Sequence, residues 1–191
     1  HMLLGLLPPS GGAALIGGVD VQRSPLEAYR RVGFVSENVL LYGNLSARKN
    51  MRFFASVCGH AVPESRIDAL LRRVALSHAQ DRPVRTFSKG MRQRLGLAVA
   101  LVKDPDALVL DEPTTGLDPD GADALLDVIR SLREEKRAVL MSTHDLDRVP
   151  EVADRIAVMG GGRIRAIVPG GAVPGGGMRE FYRRHTEAEP A

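Results

Sequence analysis

The chain has 191 residues, a formal net charge of +3, 44% hydrophobic and 26% charged residues, and only 4% aromatics. That balance fits one globular domain with a full core and excludes disorder over most of the length. The basic residues are spread rather than gathered into a run, which with the scarcity of aromatics gives no support to a nucleic-acid partner. The single cysteine, Cys58, cannot close an internal disulfide and has no partner for a metal site, as suits a reducing compartment. It is expected in the core or partly buried, as free cysteines usually are. No apolar run approaches the ~20 residues a spanning helix needs, so any membrane link is expected to pass through a partner.

Taken in chain order, Leu3 to Val21 reads as a short apolar helix end, a turn at Pro8 to Gly12, and a strand pair around Gly17 and Gly18. Arg31 to Val35 alternates like a strand and gives way to a loop from Ser36 to Gly43. Two helices follow. The first runs from an N-cap at Ser46 to Cys58, and the second starts at Pro63 with Ile67, Leu70, Leu71 and Val74 on one face. Thr86 to Ser88 offers caps for a third helix carrying Leu95, Val99 and Val102, which ends at Lys103 to Pro105 because proline stops it. These three helices form a lobe over about 44–103.

Beyond the lobe the sheet is expected to resume. Ala107 to Leu110 reads as a buried strand, Ala122 to Leu132 as an amphipathic helix with Leu125, Leu126, Ile129 and Leu132 inward, and Ala138 to Ser142 as another buried strand. Strand, helix and strand in this pattern predict a parallel sheet with right-handed crossovers, hence an α/β fold. Arg155 to Met159 and Arg163 to Val168 flank three glycines and predict a hairpin. Residues 169–191 read as a glycine-rich linker and a short helix from Met178 to His185.

Three blocks carry chemistry. The first, Ala107 to Pro119 (Ala-Leu-Val-Leu-Asp-Glu-Pro-Thr-Thr-Gly-Leu-Asp-Pro), ends an apolar strand in two adjacent carboxylates, Asp111 and Glu112. Neighbours at a strand end point in different directions, so one carboxylate can serve a metal and the other a water molecule. The second, Phe87 to Leu95 (Phe-Ser-Lys-Gly-Met-Arg-Gln-Arg-Leu), offers a hydroxyl, a glycine and a helix N-terminus, which together suit phosphate. The third, Leu140 to Asp145, places His144 just after an apolar strand, where a side chain reaches a ligand at the sheet's C-terminal edge.

In this order and spacing the blocks resemble the nucleotide-binding subunit of an ABC transporter, and the resemblance covers Leu3 to about Val168. It implies a P-loop NTPase-like core with the helical lobe attached, an ATP-binding domain over 3–168, and ATP and Mg²⁺ as cofactors. It also implies that Asp111 holds Mg²⁺, that Glu112 polarises the attacking water and that His144 contacts the γ-phosphate. Asp118 would lie in the loop that signals between subunits, and Ser88, Lys89 and Gly90 would bind ATP held by the opposite subunit. The family signature is commonly Leu-Ser-Gly-Gly-Gln; here Phe87, Lys89 and Met91 depart from it. Glu37 stands where the family has a glutamine that touches Mg²⁺, and its charge would weaken ATP binding unless Mg²⁺ screens it. Leu40 to Leu45 resembles the segment that docks a permease, so residues 37–60 are the expected contact. The implied assembly is a dimer of such subunits at the inner face of the cell membrane, cytoplasmic and peripheral through its permease. The Ser-Lys-Gly-Met variant looks most like subunits paired with exporters.

One family motif is missing. A P-loop needs Gly-x-x-x-x-Gly-Lys followed by Ser or Thr, but Lys49, Lys89, Lys103 and Lys136 are followed by Asn, Gly, Asp and Arg. Leu3 to Gly11 resembles the stretch just downstream of that loop, so the domain is expected to be N-terminally truncated and, alone, to hydrolyse ATP negligibly. An alternative is a degenerate, non-catalytic subunit that acts as a regulatory or scaffold partner. A soluble ABC protein acting on ribosomes or DNA would carry tandem cassettes or long coiled-coil insertions, and neither is present.

Overall fold

A computed structural model describes residues 2–59, 62–172 and 177–186. It divides into two compact units, one ending at Ser142 and the other beginning at Thr143.

The first unit opens with a 3₁₀ turn at Met2–Leu4 and a small antiparallel pair, β1 (Leu15–Ile16) and β2 (Val19–Asp20). Gly17 and Gly18 both have positive φ, the conformation a two-residue hairpin turn requires. Helix α1 (Pro25–Arg31) follows, and the sequence reading missed it although its signals are present. Ser24 precedes a proline at the first turn, Glu27 lies near the start and Arg30 and Arg31 close the end, which complements the helix dipole. Leu4, Ile16, Val21, Ala28 and Val32 gather into one apolar cluster that joins these short elements to the base of the sheet.

The sheet has three parallel strands in the order β3 (Val32–Val35), β4 (Ala107–Asp111), β5 (Ala138–Ser142), with Phe34 beside Val109 beside Leu140. Between β3 and β4 lies the lobe: α2 (Ala47–Val57), α3 (Glu64–Arg73) and α4 (Lys89–Leu101), with 3₁₀ turns at Ser77–Ala79 and Val84–Thr86. Ser46 caps α2 by accepting from the Lys49 N–H, as expected, whereas Pro63 lies one residue outside α3 rather than at its first position. Helix α5 (Pro119–Glu134) makes the crossover from β4 to β5.

Two expectations fail for the same reason, that periodicity does not reveal an element's place in the assembly. β5 was expected to be buried, yet it is the sheet's edge and alternates exposed and half-buried, with Leu140 54% exposed. Cys58 was expected in or near the core, yet it is exposed because it sits at the C-cap of α2, beyond the buried stripe.

The second unit holds α6 (Val149–Val152), the antiparallel hairpin of β6 (Arg155–Gly160) and β7 (Arg163–Pro169), and α7 (Gly177–Thr186). Met178 and Phe181 of α7 are buried with Val149, Ile156 and Val158, so the C-terminal helix docks on the hairpin. An Arg179 to Asp147 ion pair adds a polar tie. Residues 173–176 of the expected linker lie outside the described residues.

Candidate nucleotide site

The carboxylate pair stands at the C-terminal end of β4, where a parallel sheet places its ligands. Asp111 pairs in register with Ser142 of β5, and the Ser142 hydroxyl donates to Asp111 Oδ1 over 2.6 Å. One carboxylate oxygen is thereby oriented and the other left for a cation or its water. Glu112 extends the ladder by one bond, its N–H donating to Ser142 O over 3.0 Å, and then leaves the strand with φ +46°. A non-glycine residue in that region is uncommon and costs roughly 1 kcal/mol or more, so the surrounding bonds must hold it. They do. Thr115 Oγ1 donates to Glu112 Oε2 over 2.9 Å and the Thr115 N–H donates to Glu112 O over 3.2 Å, fixing the side chain and the turn together.

The start of α4 lies against the loop that follows. Ser88 is the N-cap, its Oγ accepting from the Met91 N–H over 3.2 Å, which leaves the hydroxyl proton free to donate to an anion. Gly90 is buried beside Leu117 and Gly121. Lys89 does not extend into solvent; its ammonium lies 2.6 Å from where a Cβ on Gly116 would stand. Asp118 is the N-cap of α5 without a side-chain cap bond, and its carboxylate is exposed. The structure therefore brings Ser88, Lys89 and Gly90 to the segment from Glu112 to Asp118.

Glu37 is half-buried in the loop after β3, two residues beyond the Val35 to Leu110 pair, so it and Asp111 follow adjacent strand ends. Among the described residues no group of three His, Cys, Asp or Glu side chains gathers around a metal position. That is compatible with Mg²⁺, which keeps water and binds through one or two carboxylates plus the phosphates of its nucleotide. Asp111, with one oxygen oriented by Ser142, fits this role. His144 belongs to the second unit, in the turn after β5, where the Leu146 N–H donates to His144 O and the Asp145 N–H to Thr143 Oγ1.

Sequence reasoning missed the residues that tie the lobe to this site. Gln93, only 2% exposed, donates from Nε2 to Ser36 O over 3.3 Å, joining α4 to the loop that bears Glu37. Gly96 makes the notch for Val39: an added Cβ would stand 2.6 Å from Val39 Cγ1. Asn50, fully buried, accepts from the Tyr42 N–H and donates to Tyr42 O and Ser46 O, so it moulds the loop before α2. That loop displays Leu40, 86% exposed, and Tyr42, whose ring packs edge-on to Phe53 at 4.6 Å. Gln93 and Asn50 lie within helices, and no spacing pattern separates a buried amide there from a solvated one.

No helix among the described residues is long and apolar enough to cross a membrane. The chain is 40% identical over 163 residues to the lantibiotic transport ATP-binding protein SrtF of Streptococcus pyogenes, covering 85% of this chain and 69% of that protein. It is 37% identical over 170 residues to the bacitracin transport ATP-binding protein BcrA of Bacillus licheniformis, covering 88% of this chain and 55% of that one. It thus spans between about half and about two thirds of the length of these curated relatives. CbiO1 of Clostridium perfringens, part of the ABC transporter complex CbiONQ, superposes with a TM-score of 0.78 at 28% identity, covering 88% of this chain and 70% of that structure. Residues 1–115 match the ABC transporter family. With the carboxylate pair at the end of β4 and the signature helix against its loop, the chain belongs to the ABC transporter family and has the α/β fold of its ATP-binding subunits.

Proposed function

We propose that this chain is the ATP-binding and ATP-hydrolysing part of an ABC exporter, with residues 3–168 as its nucleotide-binding domain, working on a separate permease and in a dimer. The observation that carries this reading is the held carboxylate pair: Asp111 oriented by Ser142, and Glu112 held in a rare backbone conformation by Thr115. Asp111 would hold Mg²⁺, with Glu37 as a second oxygen donor; the cation would screen the phosphates. Glu112 accepts the proton of the attacking water, and Thr115 keeps its carboxylate in place for that step. His144 contacts the γ-phosphate. Ser88, Lys89 and Gly90 present a helix N-terminus, a hydroxyl and an ammonium to the ATP of the opposite subunit, and Asp118 carries the signal between them. The exposed apolar display of Leu40 and Tyr42, held by Asn50, suits a permease segment. The named relatives are ATP-binding proteins of lantibiotic and bacitracin transport, which supports a role in transport.

None of the four lysines lies in a P-loop motif, so the chain by itself lacks the phosphate cradle. Calorimetry on the full chain with MgATP is expected to show no binding tighter than millimolar. A micromolar dissociation constant lost on Glu112→Gln or His144→Ala would overturn this. Whether the signature of this chain serves ATP held by another subunit, as both this reading and a degenerate subunit require, is tested by mixing with a P-loop-bearing homologue. Turnover at the homologue's site, abolished by Ser88→Arg in this chain and by loss of the homologue's P-loop lysine, would establish that the signature works in trans.

A further inference from the structure

We infer that Asp104 is a positioning residue for the signature: clamped between two arginines, it pins the lower end of α4 to the sheet and so sets where Ser88 stands. The lobe is an insertion between β3 and β4, and its last helix, α4, returns to the sheet through one short connection, residues 102–106. Asp104 is the bend in that connection. It has φ +55°, uncommon for a residue with a side chain, and it precedes Pro105, which disfavours continuation of the helix.

Two arginines from different elements meet on this carboxylate. Arg66 of α3 donates to Asp104 Oδ1 over 2.9 Å, and Arg137, the residue before β5, donates to the same oxygen over 2.6 Å and to Pro105 O over 2.8 Å. Arg137 also pairs with Glu135 over 3.1 Å, and Glu135 with Arg73 over 2.8 Å. That returns to α3, two turns and about 10 Å beyond Arg66 on the same face, so five alternating charges close a ring through α3. The side chains of Arg73 and Arg137 are 22% and 21% exposed, which shields the ring from salt more than a free surface pair. The flanks of the connection are tied elsewhere, Lys103 donating to Tyr29 O of α1 and Asp106 pairing with Arg31 over 3.4 Å. Asp104 reaches the lobe through Arg66.

Helix α4 turns this local clamp into a lever. Its 13 residues make it about 20 Å long, so a tilt of about 10° at Asp104 carries the Ser88 end through about 3 Å. At that end Gly90 lies beside Gly121 and Leu117, and Gln93 holds Ser36 O at 3.3 Å, contacts that a small tilt slides rather than breaks. A pair that adds little to stability thus bears on the site through its place at the foot of the helix. The displacement matters for phosphate only on the reading of Ser88 to Gly90 proposed above; the clamp does not need it.

The test is the distance distribution between two spin labels on the full chain, at Arg85→Cys just before the signature and Glu134→Cys at the end of α5, both exposed, with the exposed native thiol removed by Cys58→Ser. Asp104→Asn keeps a residue that tolerates positive φ and removes the charge, and Arg66→Met removes the lobe's side of the clamp without touching the bend. Each is expected to widen the distribution by about 3 Å at low salt, the reach of the lever. Without either substitution the chain is expected to widen only in about 1 M salt, where charges are screened within a few ångströms, and Asp104→Asn to widen no further there. A second pair, Leu26→Cys on exposed α1 with Glu134→Cys, is expected to stay unchanged throughout. Distributions as narrow in both variants as without them overturn the inference. So does equal widening of the second pair, which would make the ring a general brace. Whether Ser88 takes phosphate is decided separately by the mixing experiment above, and failure there leaves the clamp standing.

Discussion

The helical lobe and the edge of the sheet bury similar kinds of residue to very different depths. In the lobe, Met51, Ile67, Leu71, Leu76 and Leu95 are each less than 2% exposed, and its buried amides on Asn50 and Gln93 find backbone partners within the unit. At the sheet, Leu140 on β5 and Phe34 on β3 stand 54% and 39% exposed, in register across Val109. Both segments are apolar in sequence. A helical hairpin covers its apolar stripe with its own neighbours, whereas an edge strand is covered only if another element arrives. The candidate carboxylates lie between the two: Asp111 ends the central strand, Glu112 follows it, and α4 of the lobe meets the loop beyond them at Gly116 and Leu117.

The contrast is sharpest in core truncation. Leu71→Ala is expected to cost about 2–5 kcal/mol because a filled site becomes a cavity. Leu140→Ser, chemically at least as severe, should stay within about 0.5 kcal/mol at an exposed site. Urea melts of the two variants measure both, and equal losses would show that the edge is covered in solution.

An intermediate effect is expected where the lobe grips the loop. Gly96→Ala places a methyl group against Val39, and relieving that overlap should cost about 1–3 kcal/mol. The Gln93 to Ser36 bond would stretch with it, so exchange at the 36–39 amides should rise more than at α2. Uniform destabilisation would argue that the loop is not held through α4.

The smallest effect is expected at the polar seam below β5. Arg137 donates to Asp104 over 2.6 Å and to Pro105 O over 2.8 Å, and pairs with Glu135. The guanidinium of Arg137, with that of Arg66, holds the Asp104 carboxyl below its ordinary value; Glu135 is lowered by Arg73 and Arg137. Because the folded values are depressed, this stabilisation is complete above the ordinary carboxylate range and is lost as pH falls through the folded values. Asp104 is largely exposed, so screening limits the pair to about 1 kcal/mol or less. Arg137→Met should therefore lower stability slightly at neutral pH and flatten its dependence below about pH 4, the range in which aspartates ordinarily titrate. A variant whose acid unfolding curve runs parallel to the native one would remove Asp104 from the account.

Much of the lobe was legible because its signals are local. Ser46 and Ser88 cap helices as their sequence positions suggest, and Ile67, Leu70 and Leu71 face inward at the spacing of one helical face. The carboxylate pair was legible for the same reason, since an apolar strand that ends in acids announces its own geometry. Helix α1 was missed despite Ser24 and Pro25, because its seven residues bury only Ala28 and leave no periodic stripe to find.

By itself, then, the sequence determined the parallel α/β pattern, the places of Asp111, Glu112, Ser88 and His144 along the chain, and the absence of a lysine in a P-loop motif. Tertiary structure alone decided that β5 is an edge, that Cys58 faces solvent, that Gln93 and Gly96 fasten the loop bearing Glu37, and that Lys89 lies on Gly116. The division has one physical reason. Caps, turns and hydrophobic periods are settled by residues a few positions apart, while burial, strand order and the seat of a long charged side chain depend on residues brought together from across the chain.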